Sequence, residues 1–152
     1  MDNSKGFGLY LDRTVKRIQI AYQRAFKEKN IEVTIEQWVF LQQIYELGDA
    51  ASQRELTNLN FRTRATTSKM ITNLVERGYI TKSLYEGDLK RYQLRLTQRG
   101  RTIIETLLPF IKKLRAIGYE NIDKEDFDVF LKVLNQIWSN YEKTKMKELK
   151  SK

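Results

Sequence analysis

The sequence contains no cysteine and no histidine. That excludes disulfides, thiol redox sensing, thiolate or imidazole metal sites, and any nucleophilic centre built on a Ser-His or Cys-His pair. No metal, cofactor or catalytic residue is expected. Proline occurs once, at Pro109. No apolar run reaches the roughly 18 residues of a membrane-spanning helix. The opening "MDNSKGFG" lacks the basic-then-apolar order of a signal peptide. A soluble, cytoplasmic protein without a membrane partner is the expectation. Glycine-rich phosphate loops and DxDxDG calcium loops are also missing. Carboxylate chemistry is what remains open to an enzyme. The acids Glu120, Asp123, Glu125, Asp126 and Asp128 are scattered, and read better as favourable charges at the positive end of a last helix.

Positive charge is abundant: 28 Lys and Arg against 19 Asp and Glu give a net charge of +9. Such a balance favours a polyanionic partner. Part of the excess lies in the C-terminal stretch "KTKMKELKSK". The length of 152 residues fits a single domain, 1–152.

Periodicity divides the chain. Leu11, Val15, Ile18, Tyr22 and Ala25 recur at helical spacing and predict an amphipathic helix over about 8–28. Thr34 with Gln37 forms a capping box, and Gly48 is a stop signal. Between them Ile35, Trp38, Val39, Gln42 and Tyr45 mark a second helix. Ser52 with Glu55 opens a short third helix, whose buried face is expected at Leu56 and Leu59. A fourth helix follows over about 63–77 and ends at Gly78. "YITKSLY" and "RYQLRLT" then alternate with period two around "EGDLK", predicting a hairpin with Gly87 and Asp88 in the turn. Ile80, Leu84, Leu94 and Leu96 are its expected inner set.

Helical spacing returns at Ile103, Ile104, Leu107, Leu108, Ile111 and Leu114, with Thr97 as cap and Pro109 as an expected kink. Asp123 begins a last helix with Phe127, Leu131, Leu134, Trp138 and Tyr141 on one face. The fold class is therefore mainly α with a small β-hairpin. Residues 34–97 read as a compact unit, flanked by helical regions 8–30 and 98–148. Apolar terminal helices beside a complete unit need a partner face. Symmetric pairing through Leu11, Val15, Phe127, Leu131, Leu134 and Trp138 supplies one; packing of the two ends on each other within one chain is the alternative.

The stretch "FRTRATTSKMITNLVERGYI" concentrates hydroxyl and basic groups. On a helical wheel Thr67, Met70, Ile71 and Leu74 fall inward, while Arg64, Thr66, Ser68, Lys69, Thr72 and Asn73 spread outward, with Arg62 just before them. A helix in the major groove needs such a set. Arg and Lys donate to guanine, Asn can pair with adenine, and Ser and Thr reach bases or phosphates. With the preceding short helix this makes a helix-turn-helix. The plainer reading is a solvated face, but such a face mixes signs, and no acid lies between Phe61 and Val75. Lys82, Lys90, Arg91 and Arg95 put basic groups on the hairpin, where they would contact DNA or simply guard a strand edge.

Three motifs resemble the MarR family of bacterial winged helix-turn-helix regulators: "TIEQWVFLQQI", "RTRATTSKMITNLVERGYI" and "GDLKRYQLRLTQRG". The resemblance covers about residues 31–108 closely and the terminal helices by pattern. It implies a winged helix-turn-helix domain flanked by dimerisation helices, acting as an obligate homodimer on a palindromic double-stranded DNA operator. The recognition-helix contacts it implies are Arg64, Thr66, Ser68, Lys69 and Asn73. In the wing Asp88 matches an aspartate that orients an arginine two residues on; Lys90 stands there instead, followed by Arg91, and either could take the wing-tip role. It also implies repression relieved by a small aromatic or anionic effector. A pocket for it would be lined by Tyr22, Trp38 and Tyr45, unless these are ordinary core. Two rivals remain: a non-specific architectural DNA-binding module, and a helical protein–protein adaptor. The first predicts little difference between specific and random DNA, where a regulator shows about 10³ or more. The second predicts that Arg64→Ala and Lys69→Ala change nothing on DNA.

Overall fold

The computed structural model describes residues 6–85 and 88–143, the side chains of 88–91 excepted. Six helices and a hairpin follow in the expected order: α1 (Gly6–Glu28), α2 (Ile35–Leu47), α3 (Gln53–Leu59), α4 (Arg64–Glu76), β1 (Ile80–Tyr85), β2 (Asp88–Leu96), α5 (Gln98–Gly118) and α6 (Lys124–Lys143), with a 3-10 turn at Gly48–Ala50. The chain divides into two units, Met1–Leu114 and Arg115–Lys152.

In the first unit the helix ends are set by local chemistry. The Thr34 hydroxyl accepts from the Gln37 N–H at 3.1 Å, and the Gln37 carbonyl oxygen accepts from the Thr34 N–H at 2.9 Å, closing the box that starts α2. Gly48 ends that helix at φ 53°, a conformation that favours glycine. Ser52 caps α3 through the Glu55 N–H. Past α4 the Gly78 N–H donates to the Val75 carbonyl at 2.8 Å and the Tyr79 N–H to that of Leu74 at 2.9 Å. This is a Schellman ending, with Gly78 at φ 69°. Thr97 caps α5 by accepting from the Gly100 N–H at 3.1 Å.

These elements surround one apolar core built on Phe26, Trp38, Phe40, Leu41, Ile44, Leu56, Ile71, Leu74, Ile80, Leu94, Ile104, Leu107 and Ile111. α2 runs through its middle. For that reason its buried residues are Gln37, Trp38, Phe40, Leu41 and Ile44, while Tyr45, expected on the inner face, is 44% exposed. Two further expectations are corrected. Leu59, at the last turn of α3, is 48% exposed because the short helix buries only Leu56. Leu84 is also 48% exposed, because of β1 only Ile80 reaches the core.

The hairpin is antiparallel, with Ile80 opposite Leu96, Lys82 opposite Leu94 and Leu84 opposite Tyr92. The register shifts after Leu84, so that Tyr85 pairs with Asp88. β2 thus begins at Asp88, and the turn is shorter than "EGDLK" suggests; Gly87 lies outside the described residues. Ser52 pairs with Gln93 on the other edge of β2, and the Leu94 N–H donates to the Ala51 carbonyl at 3.0 Å. Pro109 lies inside α5, which continues to Gly118.

In the second unit, the Tyr119 ring meets Phe127 edge-on at 5.0 Å, and Phe127 lies 6.2 Å from Phe130. α6 buries none of its residues. Val129, Phe130, Leu131, Val133 and Trp138 are exposed, and Phe127 and Leu134 are half-covered. In the first unit, the N-terminal part of α1 likewise exposes Phe7, Leu9, Tyr10, Val15 and Ile18, with Leu11 half-covered.

Candidate nucleic-acid interface

The α3–turn–α4 segment forms the helix-turn-helix. Phe61 takes a left-handed backbone at φ 49° in the turn. The Thr63 hydroxyl then accepts from the Thr66 N–H at 3.1 Å and starts α4. The inward face is the one the wheel gives: Thr67, Ile71 and Leu74 are buried and Met70 packs against the core. The Thr67 hydroxyl is satisfied by donating to the Thr63 carbonyl at 3.1 Å. On the outward side Arg64, Thr66, Lys69 and Thr72 are exposed, and Ser68 and Asn73 are half-buried. Four residues of both hydrogen-bonding types thus stand on one accessible face, and the first acid on it is Glu76, at the end of the helix.

Among the expected DNA-contacting residues, the Thr66 hydroxyl lies 2.9 Å from that of Thr63, and two others bond to α2. Arg62 donates to Glu36 Oε1 at 2.6 Å. Asn73 Oδ1 accepts from Gln37 Nε2 at 2.6 Å. Both partners lie in the first turn of α2, which therefore grips the turn before α4 and the body of α4 together. In the sequence Gln37 shows only as a cap, and nothing marks Glu36. The capping box was the one signal that pointed to this turn.

The wing is fastened at its root. Asp49 Oδ1 accepts from Arg95 Nη2 at 3.1 Å, and the Asp49 carbonyl from Gln93 Nε2 at 2.9 Å. Arg95 thus serves the base of the hairpin, and Asp49 is a second anchoring residue the sequence did not reveal. Lys82 is exposed, with Nζ 4.2 Å from the Tyr92 ring centroid. The side chains of Asp88, Lys90 and Arg91 lie outside the described residues.

Tyr22, Trp38 and Tyr45 do not converge. Trp38 is buried, 6.0 Å from the Phe26 ring, and Tyr22 is 6.4 Å from that same ring, so both belong to the packing around Phe26. Tyr45 lines a cavity of about 330 Å³ with Gly48, Asp49, Arg95 and Arg101. A larger cavity, about 610 Å³, is lined by Lys29, Glu32, Arg77, Tyr79, Arg99 and Thr102 among others. There Arg77 donates to the Glu32 carbonyl at 3.3 Å, and the Arg99 guanidinium stacks 5.0 Å from the Tyr79 ring centroid.

Residues 33–92 match the model of the MarR family. This match spans α2 through most of β2, so it contains the helix-turn-helix and the wing. Among solved structures, a MarR protein from Peptoclostridium difficile is similar at a TM-score of 0.74 and 25% identity, covering 93% of this chain and 92% of that one. A Listeria monocytogenes chain described as a MarR family transcriptional regulator, complexed with 26mer DNA, is similar at 0.75 and 20% identity, over 90% and 89%. So is Bordetella bronchiseptica BpsR, whose DNA binding is regulated by 6-hydroxynicotinic acid, at 0.74 and 20% identity, over 90% and 96%. The match over the winged unit, joined to likeness along nearly the whole chain, accounts for the basic α4 face: residues 33–92 resemble the MarR family of transcriptional regulators, and the chain has the fold of its members.

Proposed function

We propose that the chain acts as a homodimeric repressor that binds a palindromic operator through α4 and is released by a small effector. The observation that carries this reading is the accessible face of α4, where Arg64, Thr66, Lys69 and Thr72 are exposed and no acid precedes Glu76 at the last residue of the helix. Half-sites then lie about one helical turn, roughly 34 Å, apart. The uncovered apolar residues of α1 and of α6 support the dimer: exposed apolar patches larger than a few hundred Å² are unusual on monomers. Leu11, Val15, Phe127, Leu131, Leu134 and Trp138 are the interface residues of this reading. The Listeria relative bound to DNA supports the mode of action, and BpsR supports effector control.

A small organic anion is the effector class. The cavity lined by Lys29, Arg77 and Arg99, with Glu32 and Glu76 also on its wall, keeps an excess of positive charge, and contact with Arg77, at the end of α4, would compete with its bond to the Glu32 carbonyl. A ligand shifts the equilibrium only by binding the two dimer shapes with different affinity. The test is the affinity ratio between a palindrome enriched from random duplexes and a scrambled duplex of equal length, with the mass of the complex measured alongside. Two chains per duplex and a ratio of about 10³ or more support the repressor. A ratio near one would favour the architectural reading.

A further inference from the structure

The first turn of α2 determines what Asn73 can show to DNA. A backbone N–H only donates, so the Gln37 atom 2.9 Å from the Thr34 nitrogen has to be the amide oxygen. The other end of the Gln37 amide is then its NH2 group. That group lies 2.6 Å from Asn73 and has to donate, so the Asn73 atom facing it is the carbonyl oxygen. The orientation of both amides follows from one backbone donor. Gln37 is buried at 5% exposure, so water does not compete easily for its hydrogen bonds. Asn73 is half-buried and keeps an outward side. With the carbonyl turned inward, the group left for that side is NH2.

An asparagine that reads adenine uses its carbonyl and its NH2 together, one for N6–H and one for N7. Here the carbonyl is committed to Gln37. We propose that Gln37 fixes Asn73 as a donor-only reader, so that Asn73 selects a base presenting acceptors, guanine foremost through O6 and N7, and disfavours adenine, where only N7 accepts and the adjacent N6–H2 donor is left unmatched. Thymine O4 is the second acceptor it can meet. Gln37 is a positioning residue in this scheme and never touches DNA. The inference rests on the reading that α4 enters the major groove.

The test uses the full chain and the enriched palindrome, with every base substituted in turn. For the unmodified protein, one position per half-site favours guanine over adenine by about fivefold or more, the scale of one net hydrogen bond. Asn73→Ala flattens that position to near onefold and leaves the others selective. Gln37→Glu is the decisive variant. Its carboxylate accepts at both oxygens, so Asn73 turns its NH2 inward and its carbonyl outward, and preference at that position moves to adenine or cytosine. A merely structural role for Gln37 would lower affinity at every base alike, without reversal. Should Gln37→Glu fail to fold, Asn73→Asp supplies the reversal, since its second oxygen faces outward as an acceptor. Adenine preferred by the unmodified protein at the position that Asn73→Ala flattens would overturn the proposal. So would a flattening at no position, or a preference left unreversed by both acidic variants. Absence of any selectivity in the unmodified protein is a different failure, that of the operator-reading function itself, and takes this inference with it.

Discussion

The Arg62 guanidinium lies 2.6 Å from Glu36 Oε1, joining the turn before α4 to the first turn of α2. The two side chains are 34% and 57% exposed, so the pair adds little to stability, under about 1 kcal/mol. Its consequence is for DNA. Glu36→Gln removes a negative charge near α4 and frees Arg62 for a phosphate. Affinity for specific and random duplexes should rise together, and the slope of log K against log salt should steepen by about one. Titrations at several salt concentrations check this. An unchanged slope would mean that Arg62 serves the turn alone.

Arg64 is exposed at the start of α4, with no carboxylate paired to it among the described residues. Arg64→Ala should weaken binding to the palindrome by about 1–3 kcal/mol and relax preference at one position per half-site. Equal losses on specific and random DNA would instead make Arg64 a phosphate contact. Lys69→Ala is measured in the same assay. No change from either substitution would favour the adaptor reading.

Gly100 stands where α5 meets the end of the helix-turn-helix. A Cβ built there would lie 2.1 Å from the Tyr79 carbonyl oxygen, and backbone cannot give way as a flexible side chain does. Thr97 sits at the same junction, 2.7 Å from the Gly78 carbonyl. Gly100→Ala should therefore cost about 1–3 kcal/mol or more in unfolding free energy. Denaturant melts check it. A loss within about 0.5 kcal/mol, the usual range for an innocuous surface change, would contradict this packing.

Leu131 and Trp138 are 41% and 49% exposed on α6. In the proposed dimer a charge at either would be buried unpaired, so it should leave the fold intact and separate the two chains. Sedimentation of Leu131→Asp and Trp138→Asp reads this directly. Variants that stay dimeric and folded would remove α6 from the proposed interface.

Local chemistry made most of the fold legible. Thr34, Ser52, Gly78 and Thr97 mark helix ends because a cap involves residues three or four apart, a spacing visible in the sequence. Burial at Tyr45, Leu59 and Leu84 was misjudged because it depends on what lies opposite. A helix in the centre of a core hides more than one stripe, and a hairpin buries only its root. The outward face of α4 was legible from periodicity and charge. Its supports were not: Glu36 meets Arg62 across 26 residues and Gln37 meets Asn73 across 36, and no periodicity signals such a pair. The wing's clasp on Asp49 was hidden for the same reason.

In the proposed dimer the α4 face is presented twice and reads a palindrome. Selection of random duplexes by the purified chain at about 150 mM salt, where weak phosphate binding is suppressed, tests it most directly. A palindrome with half-sites about one helical turn apart should be enriched. Recovery of duplexes with no shared sequence, by a folded protein, would contradict it.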